Sequence, residues 1–144
     1  VRRDLDVVPD IALGHYTHEK SPLGSAAGLA TIRVIEEQGL IARAQALGEI
    51  GAGLLRKMAS WHPEVAAVRN MGAFFGVELR DHGSLSAAAR AERVMYEALA
   101  HGLSFKVGGG KVLTLCPPLT IADGDFQQAL DILEGSLEAV EAAG

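Results

Sequence analysis

The residues best equipped for chemistry lie in one run, Gly14-His15-Tyr16-Thr17-His18-Glu19-Lys20-Ser21-Pro22-Leu23-Gly24-Ser25-Ala26-Ala27-Gly28-Leu29-Ala30. Two histidines, a tyrosine, a threonine, a glutamate and a lysine fill six consecutive positions, and Pro22 closes the segment. Polar groups this dense on a loop belong to sites and interfaces, because loops carry function on rigid scaffolds. The Thr17 hydroxyl, beside exposed loop N–H groups, is compatible with a phosphate dianion; the plain alternative is a turn or capping threonine. His15 and His18 precede Glu19 and superficially suggest a metal site. Zinc needs three or four ligands, however, and no further suitably spaced Cys or His follows.

Elsewhere the chemical candidates are sparse. Gly108-Gly109-Gly110 has the composition of a phosphate loop, but a β run rather than a helix N-terminus follows it, so it reads as a hairpin turn. Arg69 and Glu78 read as an ion pair or a solvated face, with no catalytic role. The single cysteine, Cys116, reads as a small core residue beside Pro117.

These residues need elements to position them. Residues 1–13 read as an arm, broken at Pro9. Ser21 is a plausible N-cap with Pro22 in the first helical position, so a helix is expected over about 22–38, ended by Gly39. A second helix is expected over about 40–61. Its apolar positions Leu40, Ala44, Leu47, Ile50, Leu54, Leu55 and Met58 recur at three- and four-residue steps. Gly48, Gly51 and Gly53 weaken that helix by roughly 1 kcal/mol each relative to Ala, and close helix packing is the economical reason for them.

Residues 65–69 and 73–79 read as strands with a bend at Gly72, and Asp81-His82-Gly83-Ser84 as a turn. A third helix is expected over about 86–101, with Ala89, Val94, Met95, Ala98 and Leu99 buried and Gly102 as its cap. Two β runs, 103–107 and 111–115, flank the glycine triplet. A fourth helix, capped by Asp123, carries Phe126, Ala129, Leu130, Leu133, Leu137 and Val140 at helical spacing. Tight turns join two of the strand pairs, which excludes a purely parallel sheet. The expected fold is α+β: a two-layer sandwich of a small mixed or antiparallel sheet with helices on one face.

The ordered set Thr17, Pro22, Ala26, Ala27 and Ala30, then Glu36-Glu37-Gln38-Gly39-Leu40, Val68-Arg69-Asn70-Met71-Gly72, Gly76-Val77-Glu78-Leu79, Gly102-Leu103, Val112-Leu113 and Pro117-Pro118-Leu119-Thr120-Ile121 resembles the last third of class III (ornithine/ω-amino acid type) pyridoxal-phosphate aminotransferases. The resemblance implies a C-terminal small domain of a fold-type I enzyme at 22–144. Residues 1–21 would then be an arm and cofactor loop belonging to the large domain. It implies pyridoxal 5′-phosphate as cofactor, with Thr17 bonding the phosphate held by the neighbouring subunit of a homodimer formed through the 14–30 region. Tyr16 and His15 lie beside it on the cofactor side. His18, Lys20, Lys106 and Thr114 are implied to line the substrate pocket. The His-Glu-Lys sequence of the loop departs from the commoner small, glycine-containing version.

Two consequences follow from the resemblance. The Schiff-base lysine of the family lies upstream of the threonine, so this stretch has no catalytic residue of its own and is expected to be inactive alone. Many members also carry an arginine in the strand before Pro-Pro-Leu that grips a substrate α-carboxylate as a bidentate pair. Here that strand reads Val112-Leu113-Thr114-Leu115. The hypothesis is a substrate that lacks an α-carboxylate or binds it differently, with Lys106 as a substitute anion partner. Expected small-molecule partners are an amine or amino acid and a keto acid or aldehyde, in amino-group transfer or a related lyase or mutase reaction.

Composition sets the outer bounds. The chain has 144 residues, 49% hydrophobic and 22% charged, which is ordinary for a globular domain. A net charge of −5 gives no electrostatic reason to expect nucleic acid or an anionic membrane as partner. One cysteine forms no internal disulfide, which fits the cytoplasm. The chain starts at Val1 without a signal-peptide pattern, so a processed product or a piece of a longer protein is expected. Two other readings stay open: a free-standing, non-catalytic α+β interaction or ligand-binding module, and a metal-dependent hydrolase built on His15, His18 and Glu19.

Overall fold

The computed structural model describes residues 21–143. The chain divides into two compact units, 1–38 and 39–144. In the first, helix α1 spans Pro22–Glu37. Ser21 caps it by accepting the Gly24 N–H at 3.3 Å, and Pro22 stands in the first turn, where its missing N–H costs nothing. Gly39 follows with φ 61°, the left-handed conformation that ends helices. None of the residues of α1 is buried.

The second unit carries α2 (Leu40–Ala59), β1 (Val65–Met71), β2 (Phe74–Leu79), α3 (Ala87–Ala100), β3 (Lys106–Gly108), β4 (Val112–Leu115) and α4 (Asp123–Ala142). The strands lie in the order β1-β2-β4-β3, and every neighbouring pair is antiparallel. The fold is thus the expected α+β sandwich, with the antiparallel alternative realised. Alternation in β2 sends Phe75, Val77 and Leu79 inward; Leu113 and Leu115 of β4 join them. They form one core with Leu47 and Leu55 of α2, Val94 of α3, and Leu133 and Leu137 of α4. Each such burial contributes about 1.5–3 kcal/mol.

Two glycines in α2 are there for close approach. A Cβ on Gly48 would lie 2.5 Å from the Gly72 carbonyl oxygen, and one on Gly51 2.6 Å from the Phe75 ring. Among the described residues, a Cβ on Gly53 would meet nothing within 4 Å. The missing side chain at Gly51 lets the rings of Phe75 and Phe126 stack with centroids 6.1 Å apart.

The structure corrects several local expectations. Helix α2 ends at Ala59, because the Ser60 and Trp61 amides fold back onto the Lys57 and Met58 carbonyls. Ile50 and Leu99, expected in buried faces, are about half exposed. Arg90 of α3, 2% exposed, is buried along with Ala87, Ala91, Val94 and Ala98, and bonds Glu141 of α4 and the His82 carbonyl at 2.6 Å. Asp123 is the first residue of α4 rather than its cap; Ala122 holds the cap position without a side-chain bond, and Asp123 pairs with Arg43. At the end of α3, Gly102 does take φ 93°. The Leu103 N–H reaches the Ala98 carbonyl and the Gly102 N–H the Leu99 carbonyl, a Schellman ending. Among the described residues, no helix is long and apolar enough to cross a membrane.

Candidate functional site

Among the described residues of the second unit, one face of the sheet lies in the core and no helix of that unit covers the other, which carries the expected pocket residues Lys106 and Thr114. Opposed residues of an antiparallel pair point to the same side. A bulge at the start of β1 places Val65 opposite Leu79 and Ala67 opposite Glu78. From there the register runs outward as Arg69↔Gly76, Gly76↔Thr114 and Thr114↔Lys106. One transverse row, Arg69-Gly76-Thr114-Lys106, therefore crosses all four strands. A cavity of about 390 Å³ lies over its β1, β2 and β4 members, lined by Arg69, Met71, Phe74, Gly76, Val112 and Thr114 among others and not by Lys106.

Two of the expected pocket residues, Lys106 and Thr114, are thus brought side by side. The hairpin that aligns them turns on Gly109 and Gly110, with φ 56° and 75°. The Lys111 N–H closes it by bonding the Gly108 carbonyl at 3.2 Å. The glycine triplet is a turn, as expected, and is not arranged as a phosphate cradle. His15, Tyr16, Thr17, His18 and Lys20 lie outside the described residues. The side chains assigned to the cofactor are therefore not among those whose geometry is known here.

The electrostatics of this face centre on Glu78, in the next row of β2. Its carboxylate accepts from Lys111 Nζ at 2.8 Å and from Arg69 Nη1 at 2.7 Å. The Lys111 hydrogen bond, then that of Arg69, holds its pKa down at about 2 against an ordinary 4.5. The expected Arg69–Glu78 pair is real, and Lys111 completes it as a triad. Lys106 has no carboxylate partner among the described residues. Thr114 Oγ1 makes only a 3.4 Å contact to the Val112 carbonyl. Cys116 does not sit in the core: β4 ends at Leu115, and the next side chain is exposed. Sequence reasoning missed Gly76 and Arg69 as members of the same row. Counting outward from a three-residue turn would have paired Lys106 with Thr114, but β2 is joined to β4 only by tertiary pairing.

A second buried polar group lies away from this face. His62 Nδ1 and Glu64 Oε1 are 3.0 Å apart, with Glu64 fully buried and its Oε2 without a hydrogen-bond partner among the described residues. Among the described residues, no group of three or more His, Cys, Asp and Glu could hold a metal ion.

Comparison with known proteins gives the context. The family model "Aminotransferase class-III" matches residues 9–137. The (R)-1-hydroxy-2-aminoethylphosphonate ammonia-lyase of Vibrio splendidus (strain 12B01) is 42% identical over 90% of this chain and 28% of its own length. The acetylornithine aminotransferase of Bifidobacterium longum (strain NCC 2705) is 39% identical over 82% of this chain and 25% of its own. Among solved structures, a phospholyase from Arthrobacter in complex with phosphoethanolamine superposes with a TM-score of 0.76 at 32% identity, over 82% of this chain and 29% of that one. The chain spans less than a third of the length of each.

Proposed function

The chain belongs to the class III aminotransferase family, and from that membership we propose that it is part of a pyridoxal-phosphate-dependent enzyme acting at the amino-bearing carbon of a small amine without an α-carboxylate. The observation that carries this reading is Thr114. It stands on the exposed face beside a cavity, where the family resemblance places the carboxylate-gripping arginine. A hydroxyl cannot form the two parallel N–H···O bonds that a guanidinium gives a carboxylate. The names of two relatives support the reading, since an aminoethylphosphonate and phosphoethanolamine are amines with no carboxylate.

Amino-group transfer and elimination are both open to such an enzyme. Elimination of ammonia is the reading we favour, because the relative at 42% identity is an ammonia-lyase. The cofactor, when bound, supplies the electron sink for either reaction. In this proposal Thr17 bonds its phosphate in the partner subunit of a homodimer, with Tyr16 and His15 alongside. His18 and Lys20 line the entrance, and Lys106 and Thr114 hold the far end of the substrate. The exposed apolar residues Leu23, Leu29, Ile32 and Val34 of α1 support an interface through the 14–30 region. The lysine that carries the cofactor is expected upstream of Val1, residues 1–21 to belong to the large domain, and the location to be cytoplasmic.

The test is a substrate panel on the complete protein loaded with pyridoxal phosphate. Borohydride should trap a reduced chromophore on a lysine. Amines without a carboxylate should be consumed with ammonia released, independently of added keto acid. A strict requirement for an α-carboxylate would overturn the reading. Thr17→Ala should weaken cofactor affinity; unchanged affinity would remove Thr17 from the cofactor site.

A further inference from the structure

We propose that the cavity beside the C-terminal end of α4 is a binding site for a small organic dication, a linear diamine, held by His62 and the carboxylates of α4. The inference is independent of the amine reading above, because this cavity shares no residue with the one over the sheet.

A buried dyad sets the site. The side chains of His62 and Glu64 are 8% and 0% exposed, in the short passage between α2 and β1. A carboxylate only accepts, so Nδ1 donates its proton to Glu64 Oε1 across 3.0 Å, which fixes the orientation of the ring. The neutral ring then presents a lone pair at Nε2. That nitrogen has no hydrogen-bond partner among the described residues, and unlike Glu64 Oε2 it is not sealed from solvent. Packing alone gives no reason to hold a buried ring with one nitrogen unpaired. His62 lines a cavity of about 690 Å³ together with Trp61, Glu64, Glu134, Glu138 and Glu141.

The charge around that nitrogen is of one sign. Helix α4 sets Glu134, Glu138 and Glu141 on one face, at i, i+4 and i+7. Arg90 engages Glu141, but Glu134 and Glu138 have no cationic partner among the described residues. Like charges four apart destabilise a helix, and carboxylates near its C-terminus oppose the dipole. The last turn of α4 holds no basic residue to offset them. Lys57 lies over the Trp61 ring, 5.9 Å from its centroid, and does not line the cavity. An acidic helix face alone would be a solvated face. The unpaired His62 nitrogen beside it is what points to a ligand.

The kind of cation follows from the groups that would hold it. Zinc needs three or four protein ligands, and no such group converges among the described residues. An ammonium needs no closed shell, being a compact charge with three rotatable N–H donors. One donor meets the Nε2 lone pair and the others turn to carboxylates. Trp61, 60% exposed, offers a ring face to the methylenes or to a second ammonium. Glu134 and Glu138 are one i→i+4 step apart, about 6 Å along the helix, which is the scale of a four-carbon diamine.

The test uses the complete protein, loaded with pyridoxal phosphate and reduced with borohydride so that no amine condenses with the cofactor. 1,4-Diaminobutane is titrated at pH 8 and fixed ionic strength into the parent, His62→Asn and Glu134→Gln/Glu138→Gln proteins, with binding read by calorimetry. His62→Asn keeps a donor for Glu64 and removes the Nε2 position; the double variant leaves the buried pair untouched. Saturable binding should weaken about tenfold to a hundredfold in His62→Asn, the range for a hydrogen bond to a charged group. The double variant should weaken it at least about threefold, as exposed ion pairs do. Butylamine should bind more weakly than the diamine, and 1,4-butanediol not at all. Binding that is absent, unmoved by the double variant, matched by butylamine, or displaced by stoichiometric zinc overturns the site. A folded His62→Asn protein that binds like the parent also overturns it, leaving only a solvated acidic face. Should His62→Asn fail to fold, the double variant and the butylamine comparison decide.

Discussion

The two faces of the same sheet were built by different rules. On the inner face Phe75, Val77, Leu79, Leu113 and Leu115 are apolar and buried, and nothing there carries a charge. On the outer face, one residue along each strand, stand Gly76, Glu78, Thr114 and Lys106. The inner face is fixed by volume, since a close-packed core notices a single methylene. The outer face is fixed by charge and by what it leaves empty. Adjacent positions on one strand therefore answer to separate constraints: close packing on one side, charge and open space on the other.

The sharpest way to break this contrast is to mutate neighbours. Leu113→Ala should cost about 2–5 kcal/mol in denaturant unfolding, because Leu113 is fully buried. Thr114→Ala, the next residue, should stay within about 0.5 kcal/mol of the parent. Comparable losses at the two positions would mean that the outer face is structural after all. The second comparison is between two arginines. Arg90 is 2% exposed and holds Glu141 and the His82 carbonyl. Arg90→Met should cost about 2–3 kcal/mol, less than a fully buried pair because Glu141 is itself partly in water. Arg69→Met, on the outer face, should cost under about 1 kcal/mol.

The smallest effect concerns acid. Glu78 titrates at about 2 in the fold and near 4.5 outside it, so its contribution is fully present above pH 4.5. That contribution is lost as pH falls through about 2. The parent should hold an advantage over Glu78→Gln at neutral pH, and the two stability curves should converge between pH 4.5 and 2. Parallel curves across that window would show that the Lys111–Glu78–Arg69 triad does not shift the carboxyl.

What was legible in the sequence follows the range of the forces involved. The Ser21–Pro22 start, the turn at Gly72, the ending at Gly102 and the hairpin at Gly109-Gly110 are local, and each appears where its residues predict. Arg90 was illegible because its partner Glu141 arrives from another helix, and an arginine on an amphipathic pattern reads as solvent-facing. Ile50 and Leu99 fit a helical stripe yet fall outside the arc that the sheet covers. Cys116 is small enough for a core, but β4 ends one residue too early to bury it. For the candidate site, the types of Lys106 and Thr114 were readable. Their membership of a row with Gly76 and Arg69 depends on the strand order β1-β2-β4-β3, which no local pattern encodes.

That strand order also has a kinetic consequence. The β1–β2 and β3–β4 hairpins can each close on their own through short turns, within microseconds. They meet only along β2 and β4, with all of α3 between them in sequence. This seam carries the loop-closure entropy of a non-local pairing and is the slower event. Gly76 and Thr114 are themselves partners across it. The transverse row Arg69-Gly76-Thr114-Lys106 therefore comes into existence only when the seam zips, and any opening of the seam dismantles it at once. Hydrogen exchange at the amides along β2 and β4 would register the lifetime of the row itself.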